Sequence, residues 1–145
     1  MPIGIEIGVK SSAILCLSYE YPPLGDGGSR VVFGLTRALV AAGKRVGGGH
    51  EYTADRYSLN HTHFIFPDGL VAYLLKKATG LKYVITAHGS DVPNYNPDLF
   101  GLLHKLLRPL WIGITSQAEC IVCPSRTLQS LIVQGNPTAR GHRDP

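Results

Sequence analysis

Apolar positions along the chain follow two rhythms that alternate. Compact apolar stretches at 12–19 (SAILCLSY), 60–66 (NHTHFIF), 82–89 (KYVITAHG) and 119–124 (ECIVCP) end in turn residues and predict strands buried within a sheet. Between them the spacing turns helical. Val31, Val32, Leu35, Ala38, Leu39 and Ala42 recur on one helical face from Ser29 onward, with Gly43 where a C-cap belongs. Pro67-Asp68-Gly69 opens a second helix in which Leu70, Val71, Leu74 and Leu75 share a face before Gly80 stops it. A longer stripe, Leu99, Leu102, Leu103, Leu106, Leu107 and Leu110, predicts a third helix, kinked by Pro109 near its end. Ser125 then caps a short helix through about Val133. Strand and helix in regular alternation predict an α/β fold: a mostly parallel sheet flanked by helices and joined by right-handed crossovers.

Around this pattern the chain divides into an N-terminal extension (1–11), a main domain (12–134) and a flexible tail (135–145). The stretch VGGGHEYTADRYSLN interrupts the main domain, with glycines at 47–49, little periodicity and no convincing strand, so it is expected to be a linker. At 145 residues, 44% hydrophobic and 17% charged, the chain has the composition of an ordinary globular protein rather than of a disordered one. Lys and Arg number 14 against 10 Asp and Glu, but the cations are scattered, so nucleic acid is not an expected partner.

Cys16, Cys120 and Cys123 lie in apolar runs, which predicts buried thiols in a reducing compartment. Cys120 and Cys123 are spaced C-x-x-C, but residues three apart on a strand point to opposite faces, which spoils metal and redox pairing alike. Glu6 and Lys10 divide the first apolar stretch, so no signal-peptide core or spanning helix of about 20 residues is expected there, and the cytoplasm is the expected location.

In open parallel sheets ligands bind at the carboxyl ends of the strands, and three groups of residues fall there. The first is YPPLGDGGSR, between the first strand and its helix. Gly27 and Gly28 allow close backbone approach, the helix entrance at Ser29 offers unpaired N–H groups and a positive dipole end, and Arg30 adds a cation, a combination that suits phosphate. A tight strand-to-helix turn accounts for the same glycines equally well. The second group is His61-Thr62-His63 and the third His88-Gly89-Ser90-Asp91, so a polar pocket is expected. His61, His63 and His88 lack a carboxylate or cysteine to complete a ligand set, and no metal site is expected. The glycines do not complete G-x-G-x-x-G, since Arg30 stands at its last position, and no Gly-Lys-Ser/Thr follows, which disfavours a dehydrogenase or a phosphate-loop NTPase.

ILCLSYEYPPLGDGGSRVVFGLTRALVAAGK, HTHFIFPDGLVAYLLKKATGLKYVITAHGSDVPNYNPD and IVCPSRTLQSLI together resemble the N-terminal, Rossmann-like half of GT-B glycosyltransferases of the family 4 type, over roughly 12–134. The resemblance implies a domain that takes the acceptor, facing a C-terminal domain that holds most of a nucleotide-sugar donor. It implies retention at the transferred sugar and no catalytic metal or cofactor, the nucleotide-sugar being a substrate. It places Gly27, Gly28, Ser29 and Arg30 near the donor diphosphate and makes His88 and Asp91 the expected catalytic residues, His88 at the donor sugar with Asp91 beside it. His63 and Ser125, the latter following Pro124 after the last strand, complete the expected binding residues.

The sequence departs from that family in two respects. Nothing in it resembles the C-terminal domain, so the expected donor site is half present, a missing domain or partner chain is an expected partner, and the chain alone is expected to be inactive. The family also has one or two further strands between the first helix and the His-Thr-His strand, where this chain has Gly47-Gly48-Gly49. Without a strand there the first crossover would be left-handed, which is rarely tolerated. Three outcomes are therefore open: residues 45–59 form a substitute strand, the first helix changes face, or two chains exchange elements in a homodimer. Residues 3–9 (IGIEIGV) are a candidate cover for the bared edge of the first strand. A non-enzymatic interaction module is the competing reading of function. Peripheral membrane attachment through LFGLLHKLLRPLWIGI is a further one, less expected than a leucine stripe packed into the core.

Overall fold

A computed structural model of the protein describes residues 13–18, 27–47, 57–95 and 97–139. Strands β1 (Ala13–Leu17), β2 (Arg45–Gly47), β3 (Leu59–His63), β4 (Tyr83–Thr86) and β5 (Cys120–Val122) form one sheet in the order β2-β1-β3-β4-β5. Every neighbouring pair is parallel. Helices α1 (Gly27–Ala41), α2 (Asp68–Thr79), α3 (Pro97–Gln117) and α4 (Arg126–Gly135) fill the intervals and follow β5. The expected Rossmann-like α/β architecture is the one observed.

The stretch expected to be a linker supplies β2, the substitute strand. Arg45, Val46 and Gly47 pair with Ala13, Ile14 and Leu15. The chain therefore runs outward from β1 in one direction, then crosses back to β3 and runs outward in the other. Right-handed crossovers on the two sides of that junction must place their helices on opposite faces of the sheet. They do. Cys16, beside Thr36 of α1, lies in register with His61 and Val84, whereas Tyr83 on the opposite face donates its hydroxyl to Ile114 O of α3 at 2.5 Å. Gly69 of α2 also lies against Ile114 and Ile85 on that second face. The chain thus supplies its own substitute strand beside β1. The proposed cover at residues 3–9 lies outside the described residues.

Helix ends follow the expected signals. Gly43 has φ 75°, and bonds from Gly43 N to Val40 O and from Lys44 N to Leu39 O close a Schellman turn after α1. Gly80 has φ 76° and donates to Lys76 O. Ser125 is the N-cap of α4, its hydroxyl accepting from Leu128 N at 3.2 Å.

Burial differs from the helical stripes read in the sequence. The core gathers Ile65, Ala72, Tyr83, Ile85, Trp111, Ile114, Ile121, Leu128 and Ile132. In α2 the inward face carries Asp68, Gly69 and Ala72, while Val71 and Leu74 are 47% and 55% exposed. A Cβ on Gly69 would stand 3.0 Å from Ile114 Cγ2, so the missing side chain is what lets α2 approach α3. In α3 the core contact comes from Trp111, Ile114, Thr115 and Ala118 just beyond the helix, whereas Leu102 and Leu106 are 84% and 78% exposed. Pro109 lies well inside α3, which continues to Gln117. The cysteines are half-buried rather than fully buried, and none is in a disulfide.

Strand β3 stops at His63, short of the expected Phe66, because Phe64 turns to φ 72° and redirects the chain into α2. At the other end of the sequence, residues 136–139 are held to the body. Asn136 is 3% exposed, and its amide donates to Thr115 Oγ1 and Ser116 Oγ, both at 2.8 Å, so the tail expected from residue 135 is tied down as far as these residues.

Candidate functional site

Because all strands are parallel, the ends of β1, β3, β4 and β5 and the start of α1 share one edge of the sheet. His61 and His63, two apart on β3, point to the face that α1 covers, since His61 pairs in register with Cys16 and His63 with Thr86. Their rings stack, with centroids 4.8 Å apart and planes 11° off parallel. His61 Nε2 lies 2.8 Å from Thr86 Oγ1, which anchors the outer ring to β4. His63 Nδ1 lies 3.1 Å from His88 Nε2, and the two rings share one hydrogen. Phe64 stacks on His88 from the loop side at 4.2 Å. An aromatic side chain held at positive φ is a costly conformation, and here it places a ring on the third imidazole.

Asp91 builds the frame of this cluster. Its Oδ2 accepts from Ile65 N at 2.6 Å, and its Oδ1 from His88 N at 3.1 Å and Gly89 N at 2.9 Å. The carboxylate thus ties the loop that follows His63 to the loop after β4 that carries His88. The indole of Trp111 donates to Asp91 O at 3.1 Å, fastening the same turn to α3. Gly89, at φ 116°, leaves room for Tyr95 beside it, where a side chain would clash.

Burial sets the charge of the cluster. His63 is fully buried, and desolvation, with His61 and His88 adding like-charge repulsion, lowers its pKa to about 3. His61 is lowered for the same reasons, desolvation first and His88 second. The inner imidazole is therefore neutral at physiological pH and acts through hydrogen bonds. Its Nε2 is buried with no hydrogen-bond partner. Burial also pushes the Cys16 and Cys123 thiols up, so neither is a ready thiolate.

The sequence-derived candidates distribute as follows. His63, His88 and Asp91 come together. Gly27, Gly28, Ser29 and Arg30 form the first turn of α1 at the same edge, and Arg30 is exposed. Ser125 stands at the edge after β5, its hydroxyl occupied in capping α4. Among the described residues no group of three or more His, Cys, Asp and Glu is arranged to hold a metal ion. His61 and His63 stack, and His88 lies tilted against His63 with centroids 5.4 Å apart. Sequence reasoning missed Thr86 and Phe64. The register that sets Thr86 opposite His63 and the positive φ at Phe64 have no local signal in the sequence.

An open parallel α/β sheet that gathers imidazoles at its carboxyl edge presents them where folds of this class bind their ligands. The model of Glycosyltransferase Family 4 matches residues 50–142, more than half of the chain, and the protein belongs to that family. The match takes in β3 through α4 and therefore His63, His88, Asp91 and Ser125, while the glycines of α1 lie before it. A comparison with curated proteins gave no significant match.

Proposed function

We propose that the protein forms the acceptor-side wall of a sugar-transferring cleft, working on a nucleotide-sugar donor and a sugar or lipid acceptor, with retention and without a catalytic metal. The observation that carries this reading is the His63–His88 pair, held by Asp91 at the carboxyl edge and on the face where α1 begins. The buried imidazole of His63 holds His88, whose ring offers directed hydrogen bonds to a sugar hydroxyl. The N–H groups of Gly27 to Arg30 suit the donor diphosphate. Asp91 acts as a positioning residue, because its two oxygens already hold three backbone N–H groups.

Transfer also requires stabilisation of the departing diphosphate, which is worth several kcal/mol when preorganised donors meet it in a water-excluded site. Those donors are expected from a second domain facing this edge, on the same polypeptide or on a partner chain. The 145-residue chain alone is therefore expected to show little or no transfer. Its free thiols fit a reducing compartment, the cytoplasm.

A turnover assay with the purified chain and a panel of nucleotide-sugars tests this reading. Clear product from the chain alone would overturn the half-cleft. Titration with nucleoside diphosphates should shift the amides of Gly27 to Arg30, and unchanged amides there would remove the diphosphate role. A second reading, a partner-dependent interaction module, is favoured by the exposure of Leu102 and Leu106 beside exposed Lys105 on α3. Among the described residues no helix is long and apolar enough to cross a membrane. Capture of a purified domain of the opposite-wall type, without turnover of any sugar, would decide for the second reading.

A further inference from the structure

We infer that His63 is a positioning residue that fixes the proton of His88 on Nδ1. Only one hydrogen fits between His63 Nδ1 and His88 Nε2, 3.1 Å apart, so one ring donates and the other accepts. The far nitrogen of His63 decides which. His63 Nε2 is buried and has no hydrogen-bond partner, and the side chain is fully inaccessible to solvent.

If His63 carried its proton on Nε2, that N–H would be a buried donor with nothing to receive it. Its Nδ1 would also have to accept from His88. Orphaned buried N–H groups are the rarer kind of unsatisfied atom in proteins. With the proton on Nδ1, His63 spends its only N–H on His88 and leaves a bare lone pair on the buried Nε2. His88 Nε2 is then an acceptor, and a neutral His88 must hold its own proton on Nδ1.

The packing holds this arrangement in place. His61 stacks on the outer side of His63 at 4.8 Å and Phe64 lies over His88 at 4.2 Å, so both ring planes are held, and turning either ring over would break the nitrogen-to-nitrogen hydrogen bond. Asp91 fixes the backbone of His88 through its N–H. Resting on the sugar-transfer reading above, the consequence is that the outer nitrogen of His88 is a hydrogen-bond donor, of the kind that suits a hydroxyl or phosphate oxygen of a nucleotide-sugar, and not a proton acceptor.

Long-range ¹H–¹⁵N correlation spectra of the histidine rings in the ligand-free protein at neutral pH test the assignment. His63 and His88 should both appear as single Nδ1–H tautomers. His63→Asn, whose amide can donate from nearly the place of Nδ1, should leave His88 in that form. His63→Leu removes the N–H that holds this form, and the Nε2–H tautomer of His88 should then appear. An Nε2–H His88 in the unsubstituted protein overturns the inference, and so does a His88 spectrum unmoved by His63→Leu. If the leucine variant does not fold, the unsubstituted protein and the asparagine variant decide. The readout needs no sugar or nucleotide, so its failure is distinct from failure of the transfer reading.

Discussion

Replacing Asp91 tests whether the site is held together by one carboxylate. The acceptor is 7% exposed and receives three backbone N–H groups, from Ile65, His88 and Gly89. A hydrogen bond to a charged group contributes roughly 1.5–3 kcal/mol net, and a buried donor left without its acceptor costs about 1–3 kcal/mol. The three bonds share one carboxylate and are not additive, and water can reach part of a slightly exposed site, so Asp91→Ala is expected to destabilise by about 3–5 kcal/mol. Asp91→Asn separates the contributions. Its carbonyl oxygen can keep the N–H groups of His88 and Gly89, but its amide would face Ile65 N donor to donor, so a loss of about 2–4 kcal/mol is expected. Denaturant unfolding of the variants gives the free energies, and amide exchange at Ile65 and Gly89 reports each bond separately. The asparagine variant should lose protection chiefly at Ile65. An Asp91→Ala protein within about 0.5 kcal/mol of the original, with Ile65 still protected, would refute the clamp, because a surface substitution behaves that way.

Acid should destabilise the protein before most carboxylates titrate. The folded pKa of His63 is near 3, against about 6.5 in the unfolded chain. The unfolded state therefore takes up a proton that the folded state refuses, so the stabilising contribution is complete above about pH 6.5 and is lost as pH falls toward the folded value. The slope is about 1.4 kcal/mol per pH unit per group, or about 2 kcal/mol at pH 5 from His63 alone, with His61 acting in the same direction. Melting curves between pH 7 and 5 should show it, and a His63→Phe variant with an undiminished pH slope would contradict it. Tyr83→Phe removes the bond from the buried hydroxyl to Ile114 O and should cost about 1–2 kcal/mol in denaturant unfolding, whereas no change would mean that the bond contributes nothing net.

The alternation of rhythms made the parallel α/β sheet legible, along with β1, β3, β4, β5 and all four helices, because hydrophobic period is a local property of the chain. Gly43, Gly80 and Ser125 announced their caps for the same reason: left-handed backbone and a side-chain acceptor are needs of the residue itself. The His-Thr-His and His-Gly-Ser-Asp segments could be placed at the ligand edge by direction alone, since every strand of a parallel sheet ends on the same side.

What was not legible depended on partners distant in sequence. Strand β2 is three residues long and ends at a glycine, too little to show a period, and it exists because β1 offered an unpaired edge and the crossover needed a strand on that side. The leucines of α3 gave the right helix and the wrong face, since Trp111 and Ile114 found the core while Leu102 and Leu106 did not. Asp91 looked like a group for chemistry, and tertiary contact turned it toward three backbone amides. The sequence by itself determined which elements form and at which edge the histidines stand, because period, cap and strand direction are carried by neighbouring residues. Only the folded chain decided which imidazole is buried, which ring it bonds and which carboxylate holds both loops, because those follow from register between β3 and β4 and from the desolvation that packing imposes.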